Sequence, residues 1–283
     1  MLTDVTPELL AQAIAAHRAA GGDAISRLGY FTKPFRVAEG PLGGLVVKRY
    51  RAPGDAALLD RMARAHDAYV ALLADAGVPV PDTGFHLIDG APVVVQDGLP
   101  DASMMRPLMQ DATRDEAIRY CDAAGSVIAR FWHHVTDHPE RVGFHPSIRN
   151  FAIVEDEAIF FDTFPPLIGY SRDEMGRLLL TFSESALMRG VGPFIKGRVT
   201  AIQDEWYSPA GTLVGLVGSA CRLRPDDAEA FLDWGRGFAN QHMAPWAEEA
   251  VAEMQEPPRL SGLWTGMRRA MGLVGEPNLK SGQ

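Results

Sequence analysis

The chain has 283 residues, 47% of them hydrophobic and 22% charged, and a formal net charge of −9 at pH 7. That length suits one large domain or two lobes, and the acidic balance argues against a general nucleic-acid binder, which needs a basic surface. No apolar run approaches bilayer length, MLTDVTPELL lacks the basic and apolar regions of a secretory signal, and Cys121 and Cys221 form neither a disulfide framework nor a metal-ligand spacing. The sequence therefore predicts a cytoplasmic protein with no membrane or nucleic-acid partner.

Thr6–Pro7–Glu8 predicts a helix start, with a capping hydroxyl, a proline at the first helical position and an early acid. Leu9, Leu10, Ala13 and Ile14 share one face of that helix, and Gly21–Gly22 ends it. Residues 24–51 change to strand patterning: Gly29–Lys33, then Phe35–Val37, then a turn through Gly43–Gly44 into Leu45–Tyr50. Lys48 interrupts the apolar run of the third of these strands. Alternation allows it either face, and on the inner face its ammonium needs an anion. Asp55–Ala76 has helical periodicity and stops at Gly77–Val78–Pro79. Two further strands flank the Asp89–Gly90 turn, and Asp97–Pro100 reads as a connector.

Beyond the connector the pattern is mostly helical. Arg114–Val135 is the strongest helix, and further helices are expected over Arg172–Met188, Pro193–Gln203, Thr212–Cys221 and Asp226–Ala239. Partial helices are expected near Trp246–Met254 and Leu263–Met271. Between them lies VGFHPSIRNFAIVEDEAIFFDTFPP, residues 142–166. Here His145 and Asn150 sit on a loop, a hairpin turns at Glu155–Asp156–Glu157, and Asp162 ends the second strand. An amide oxygen and a carboxylate joined by a hairpin can hold a hard cation such as Mg²⁺. A capping Asn and a turn Asp on a surface hairpin is the plainer alternative. The histidines at 133, 134 and 138 lack carboxylate or thiol partners at a recognisable spacing and read as a helix end and loop.

This order of elements resembles the protein-kinase-like fold, in particular its aminoglycoside phosphotransferase branch, over roughly residues 24–240. The resemblance implies an α+β, bilobal architecture with a small five-stranded antiparallel sheet lobe, one inserted helix and a larger helical lobe. Its divisions are an extension over 1–23, the sheet lobe over 24–100, the helical lobe over 101–242 and a C-terminal extension over 243–283. It further implies ATP and Mg²⁺ as cofactors. Lys48 of LVVKRY would hold the nucleotide phosphates, and Gly29 would belong to the loop above them. Gln96 and Asp97 of VVVQDGLP would border the adenine at the hinge, and Asn150 and Asp162 would hold the metal. The acceptor would be a hydroxyl of a small molecule or peptide.

Four positions depart from that pattern. The residue that orients the acceptor hydroxyl is an Asp in the family and His145 here; imidazole can still serve as a base near neutral pH. The inserted helix has no Glu to pair with Lys48: the register gives His66, and the adjacent Asp67 is the expected partner. The Gly29–Lys33 loop has a single glycine, with Tyr30 and Phe31 where backbone would approach phosphates. Thr163–Phe164–Pro165–Pro166 is too rigid for a long mobile loop. Two alternatives to phosphotransfer therefore stand beside it: a pseudokinase-like module that binds a nucleotide or peptide without turnover, and a kinase-fold nucleotidyltransferase.

Overall fold

The structure is a computed structural model and describes residues 2–21, 34–182 and 203–255. Thr6 caps α1 (Pro7–Ala19), its hydroxyl accepting from Leu9 N at 3.3 Å, and Gly21 leaves the helix at φ 80°. Four strands follow: β1 (Phe35–Arg36), β2 (Val46–Arg49), β3 (Thr83–Ile88) and β4 (Ala91–Gln96). They form one antiparallel sheet in the order β1-β2-β4-β3. Asp89 and Gly90, both at positive φ, make the tight β3–β4 turn. Four strands are thus described where five were expected, and the expected strand Gly29–Lys33 lies outside the described residues.

Between β2 and β3 runs α2 (Ala56–Asp75), capped by Asp55, whose carboxylate accepts from Leu58 N at 3.1 Å. Its buried positions Leu59, Met62, His66, Tyr69 and Leu73 recur at helical spacing, so a single face turns inward. After β4 come α3 (Met105–Asp111) and α4 (Arg114–His134), the latter opened by a reciprocal cap between Thr113 and Glu116. A hairpin of β5 (Phe151–Val154) and β6 (Glu157–Phe160) precedes α5 (Arg172–Phe182). The chain continues through α6 (Pro209–Leu223), α7 (Ala228–His242) and α8 (Ala247–Gln255). The expected helices over 193–203 and 263–271 fall mainly or wholly outside the described residues. Within 243–255, Met243, Ala247, Ala250 and Met254 belong to the helical core.

Each face of the sheet is covered. On the outer face, Val47, Val93 and Val95 join Leu10 and Ile14 of α1 in one cluster. On the inner face, Val94 joins a larger cluster that runs through α2 into α4, the hairpin and α6–α8. Cross-strand register puts Arg36, Val46, Gln96 and Thr83 in one row, and Lys48, Val94 and Phe85 in the next. Both rows share the inner face with Val94, so Lys48 points inward. Among the described residues no helix is long and apolar enough to cross a membrane.

Candidate functional site

Three elements converge on the inner end of β2. The hairpin pairs Phe151 with Phe160, and the next pair out is Asn150 opposite Phe161, joined by Phe161 N donating to Asn150 O at 3.0 Å. Asp162 is the following residue. The loop before Asn150 is fixed at several points: Gly143 N donates to Leu167 O at 2.8 Å, Phe144 N to Trp206 O at 2.7 Å, and Tyr69 OH to Gly143 O at 3.0 Å. Gly143 must be glycine, because a Cβ there would fall 2.7 Å from Trp206 O. The loop therefore delivers His145 in one orientation.

Lys48 reaches across from β2. It is 7% exposed, and its Nζ donates to Phe161 O at 2.6 Å while lying 5.3 Å from the centre of the Phe161 ring. Burial pushes its pKa down to about 8, against the opposing pull of the Asp162 charge. Burial also pushes the Asp162 carboxyl up. The His145 hydrogen bond and charge, the Lys48 charge and the Phe164 N–H outweigh this and hold it below the ordinary carboxylate value. Lys48 and Asp162 thus stand as a charged pair at neutral pH.

His145 Nδ1 lies 2.9 Å from Asp162 Oδ2. An ionised carboxylate only accepts, so Nδ1 carries the proton and Nε2 of the neutral ring keeps a lone pair. The side chains of His145 and Asp162 remain 27% and 24% exposed, so a solute can reach the dyad. Trp206 covers one side of the imidazole at a ring separation of 4.4 Å. Asn150 Nδ2 donates to His145 O at 3.3 Å, which leaves its amide oxygen available to a ligand. Asp162 and Asn150 together offer a carboxylate and an amide oxygen, a set suited to a hard cation that brings phosphate oxygens with it. Among the described residues no group of three or more His, Cys, Asp or Glu could hold a metal alone.

The expected partner of Lys48 is corrected by helix phase. Asp67 is exposed on α2 and makes no ion pair with Lys48; its charge acts on His86 instead. One residue earlier, His66 takes the inward position, 1% exposed, with Nε2 3.1 Å from Thr163 Oγ1. Burial, and secondarily the Lys48 charge, pushes its pKa to about 3, so it is a neutral neighbour of the ammonium.

At the other end of the sheet, Gln96 is buried and donates from Nε2 to Thr83 Oγ1 at 2.9 Å, and Asp97 N donates to Asp82 O at 2.9 Å. Gly29, Tyr30, Phe31 and Lys33 lie outside the described residues. Two neighbours of the dyad carried no sequence signal. Trp206 is one. Glu205 is the other. Its residue is exposed, yet its carboxyl lies low against Gly215, where a Cβ would fall 2.1 Å from Oε1, and desolvation there raises its pKa.

The fold and this site define an α+β protein in which a sheet lysine faces a histidine–aspartate dyad carried by a loop and hairpin. The chain belongs to a family of unknown function, DUF6206, whose sequence profile matches residues 9–275. No curated protein matches it.

Proposed function

We propose that this chain is a divergent kinase-like phosphotransferase that moves a phosphoryl group from a Mg²⁺-bound polyphosphate such as ATP to a hydroxyl. The observation that carries the reading is the meeting of Lys48, His145, Asn150 and Asp162, drawn from β2, a loop and a hairpin, with the Lys48 ammonium bonded beside Asp162. The sheet order with α2 inserted between β2 and β3 supports it as well.

In this reading Lys48 binds the donor phosphates. Asp162 and Asn150 would hold a divalent cation that neutralises phosphate charge. The acceptor oxygen attacks the terminal phosphorus, the bond to the bridging oxygen breaks, and the hydroxyl proton passes to His145 Nε2. Asp162 keeps the imidazole in the right tautomer and stabilises the imidazolium. Most of the rate comes from positioning and charge neutralisation.

A second reading, binding without transfer, is favoured by one observation: Asp162 Oδ2 is already engaged by His145, which competes with a cation. Melting curves with Mg²⁺ and tripolyphosphate or ATP test binding, since a ligand of the folded state raises Tm. No shift at millimolar ligand for the wild type sinks both readings. Given a shift, Lys48→Met and Asp162→Asn are expected to abolish it. His145→Ala is expected to keep binding and lower phosphate release or transfer by about 10²–10⁴-fold. Equal turnover in His145→Ala rejects its role as base. Mass spectrometry of the acceptor then separates a gain of phosphate from a gain of a nucleotidyl group.

A further inference from the structure

The hinge end of the inner sheet face is already filled by the protein. Arg36 occupies the inner row next to Val46 and Gln96. Its guanidinium donates from Nη1 to Gly44 O at 3.1 Å, and from Nη2 to Leu99 O and to Asp101 Oδ1, the last at 3.1 Å. It lies directly over Gly98. A Cβ at Gly98 would fall 1.9 Å from Arg36 Nη1 and 2.1 Å from Gly44 O, so the β1–β2 turn and the guanidinium both rest on bare hinge backbone. The Leu99 carbonyl, which a ligand could use as an acceptor, already accepts one hydrogen bond from Arg36.

We infer that Arg36 is a specificity-determining residue that closes the hinge end of the site, so that the site recognises a polyphosphate and leaves any attached base unbound. This rests on the proposed phosphate binding by Lys48 and Asp162. Two features support it. At the Lys48–Asp162 end, His145 and Asp162 are 27% and 24% exposed, and Lys48 and Asp162 are chemically fitted to phosphate and its cation. At the opposite end the Arg36 guanidinium and the Gly44 carbonyl lie against Gly98, on the backbone that a heteroaromatic ring would approach. A planar base entering there must displace the guanidinium from three oxygen partners at once.

The test is calorimetric titration of the full chain with Mg²⁺ and, separately, tripolyphosphate, ATP and GTP. It is applied to the wild type, Arg36→Ala and Arg36→Met, the last keeping the apolar stem but losing all three bonds. Melting curves establish that the variants fold. Expected for the wild type are dissociation constants within about threefold of one another for all three ligands. In both variants ATP is expected to tighten at least tenfold over tripolyphosphate, whose own affinity stays put. Tenfold tighter binding of ATP than tripolyphosphate by the wild type overturns the inference and leaves phosphate binding intact. So does an unchanged ATP-to-tripolyphosphate ratio in both variants. Failure of all three ligands to bind the wild type removes the phosphate reading itself, and this inference with it.

Discussion

At the scale of single residues, burial displaces the pKa values of Lys48 and His66 beside the dyad. His66 is the simplest case. The folded chain keeps it neutral down to about 3, whereas the unfolded chain protonates it near 6.5. Between those values the unfolded state binds more protons, so stability falls as pH falls, by up to about 1.4 kcal/mol per pH unit for one group. His66→Gln, which keeps a donor toward Thr163, is expected to flatten the acid limb of a urea-midpoint-versus-pH curve by that amount. The loss at still more acid pH, where Asp162, held below the ordinary carboxylate value, is forced to protonate, remains. Lys48 gives the opposite limb. Above about 8 the folded chain has lost a proton that the unfolded chain keeps up to 10.5. Stability of the free protein is therefore expected to rise over that window, while affinity for Mg²⁺–tripolyphosphate falls, because the neutral amine no longer attracts phosphate. Titrations at pH 7 and 9.5 check both signs.

The same residues show what the sequence disclosed. Lys48 could be singled out because a charge inside LVVKRY demands an explanation, but its direction could not. Alternation is visible only when one face is wet, and here α1 covers the outer face while α2 and the helical core cover the inner. The choice of Asp67 over His66 put charge ahead of phase. Met62, His66, Tyr69 and Leu73 mark the buried face, and Asp67 lies about 100° around the helix from His66. Arg36 gave no signal at all, since nothing local ties it to Gly98 and Leu99, more than sixty positions away.

At the scale of elements, turn and cap chemistry was readable wherever it was strong. The hairpin that carries Asn150 and Asp162 could be located from its turn residues and flanking apolar pairs. α3 was missed because it is only seven residues long and contains Pro107; a proline in the first turn costs no helical hydrogen bond, so the helix forms regardless. The hairpin turn itself is suboptimal. Glu155 and Asp156 sit at φ 51° and 65°, a left-handed geometry that side chains disfavour. Asp156→Gly is expected to raise stability by roughly 0.5–1 kcal/mol in chemical denaturation, the steric relief outweighing the added freedom of the unfolded chain. Because the β5–β6 ladder and the Phe161–Asn150 hydrogen bond already fix the register, ligand affinity is expected to stay unchanged.

At the scale of the whole molecule, the order of helices and strands was legible, whereas the way they share cores was not. The sequence divides near residue 100 into sheet and helix, yet the larger core crosses that point, joining α2 and Val94 to the helical bundle. The N-terminal helix, which looked like an appendage, is the second layer of the sheet. Leu10 is fully buried there and Ile14 nearly so, against Val47, Ile88, Val93 and Val95. Val47 neighbours Lys48 on β2 but points the other way, which raises the question whether α1 serves the site or only stability. β2 is hydrogen-bonded to β1 on one side and β4 on the other, and the Lys48 ammonium is held from the inner face by Phe161 O. The ladder, rather than α1, therefore fixes the lysine. Leu10→Ala is expected to lower stability by about 2–5 kcal/mol in urea denaturation, as deletion of a buried leucine side chain usually does. At temperatures where the variant remains folded, its dissociation constant for Mg²⁺–tripolyphosphate is expected to stay within about twofold of the wild type. A loss of affinity that follows the loss of stability across Leu10→Ala and the milder Ile14→Val would instead make the outer layer part of the binding mechanism.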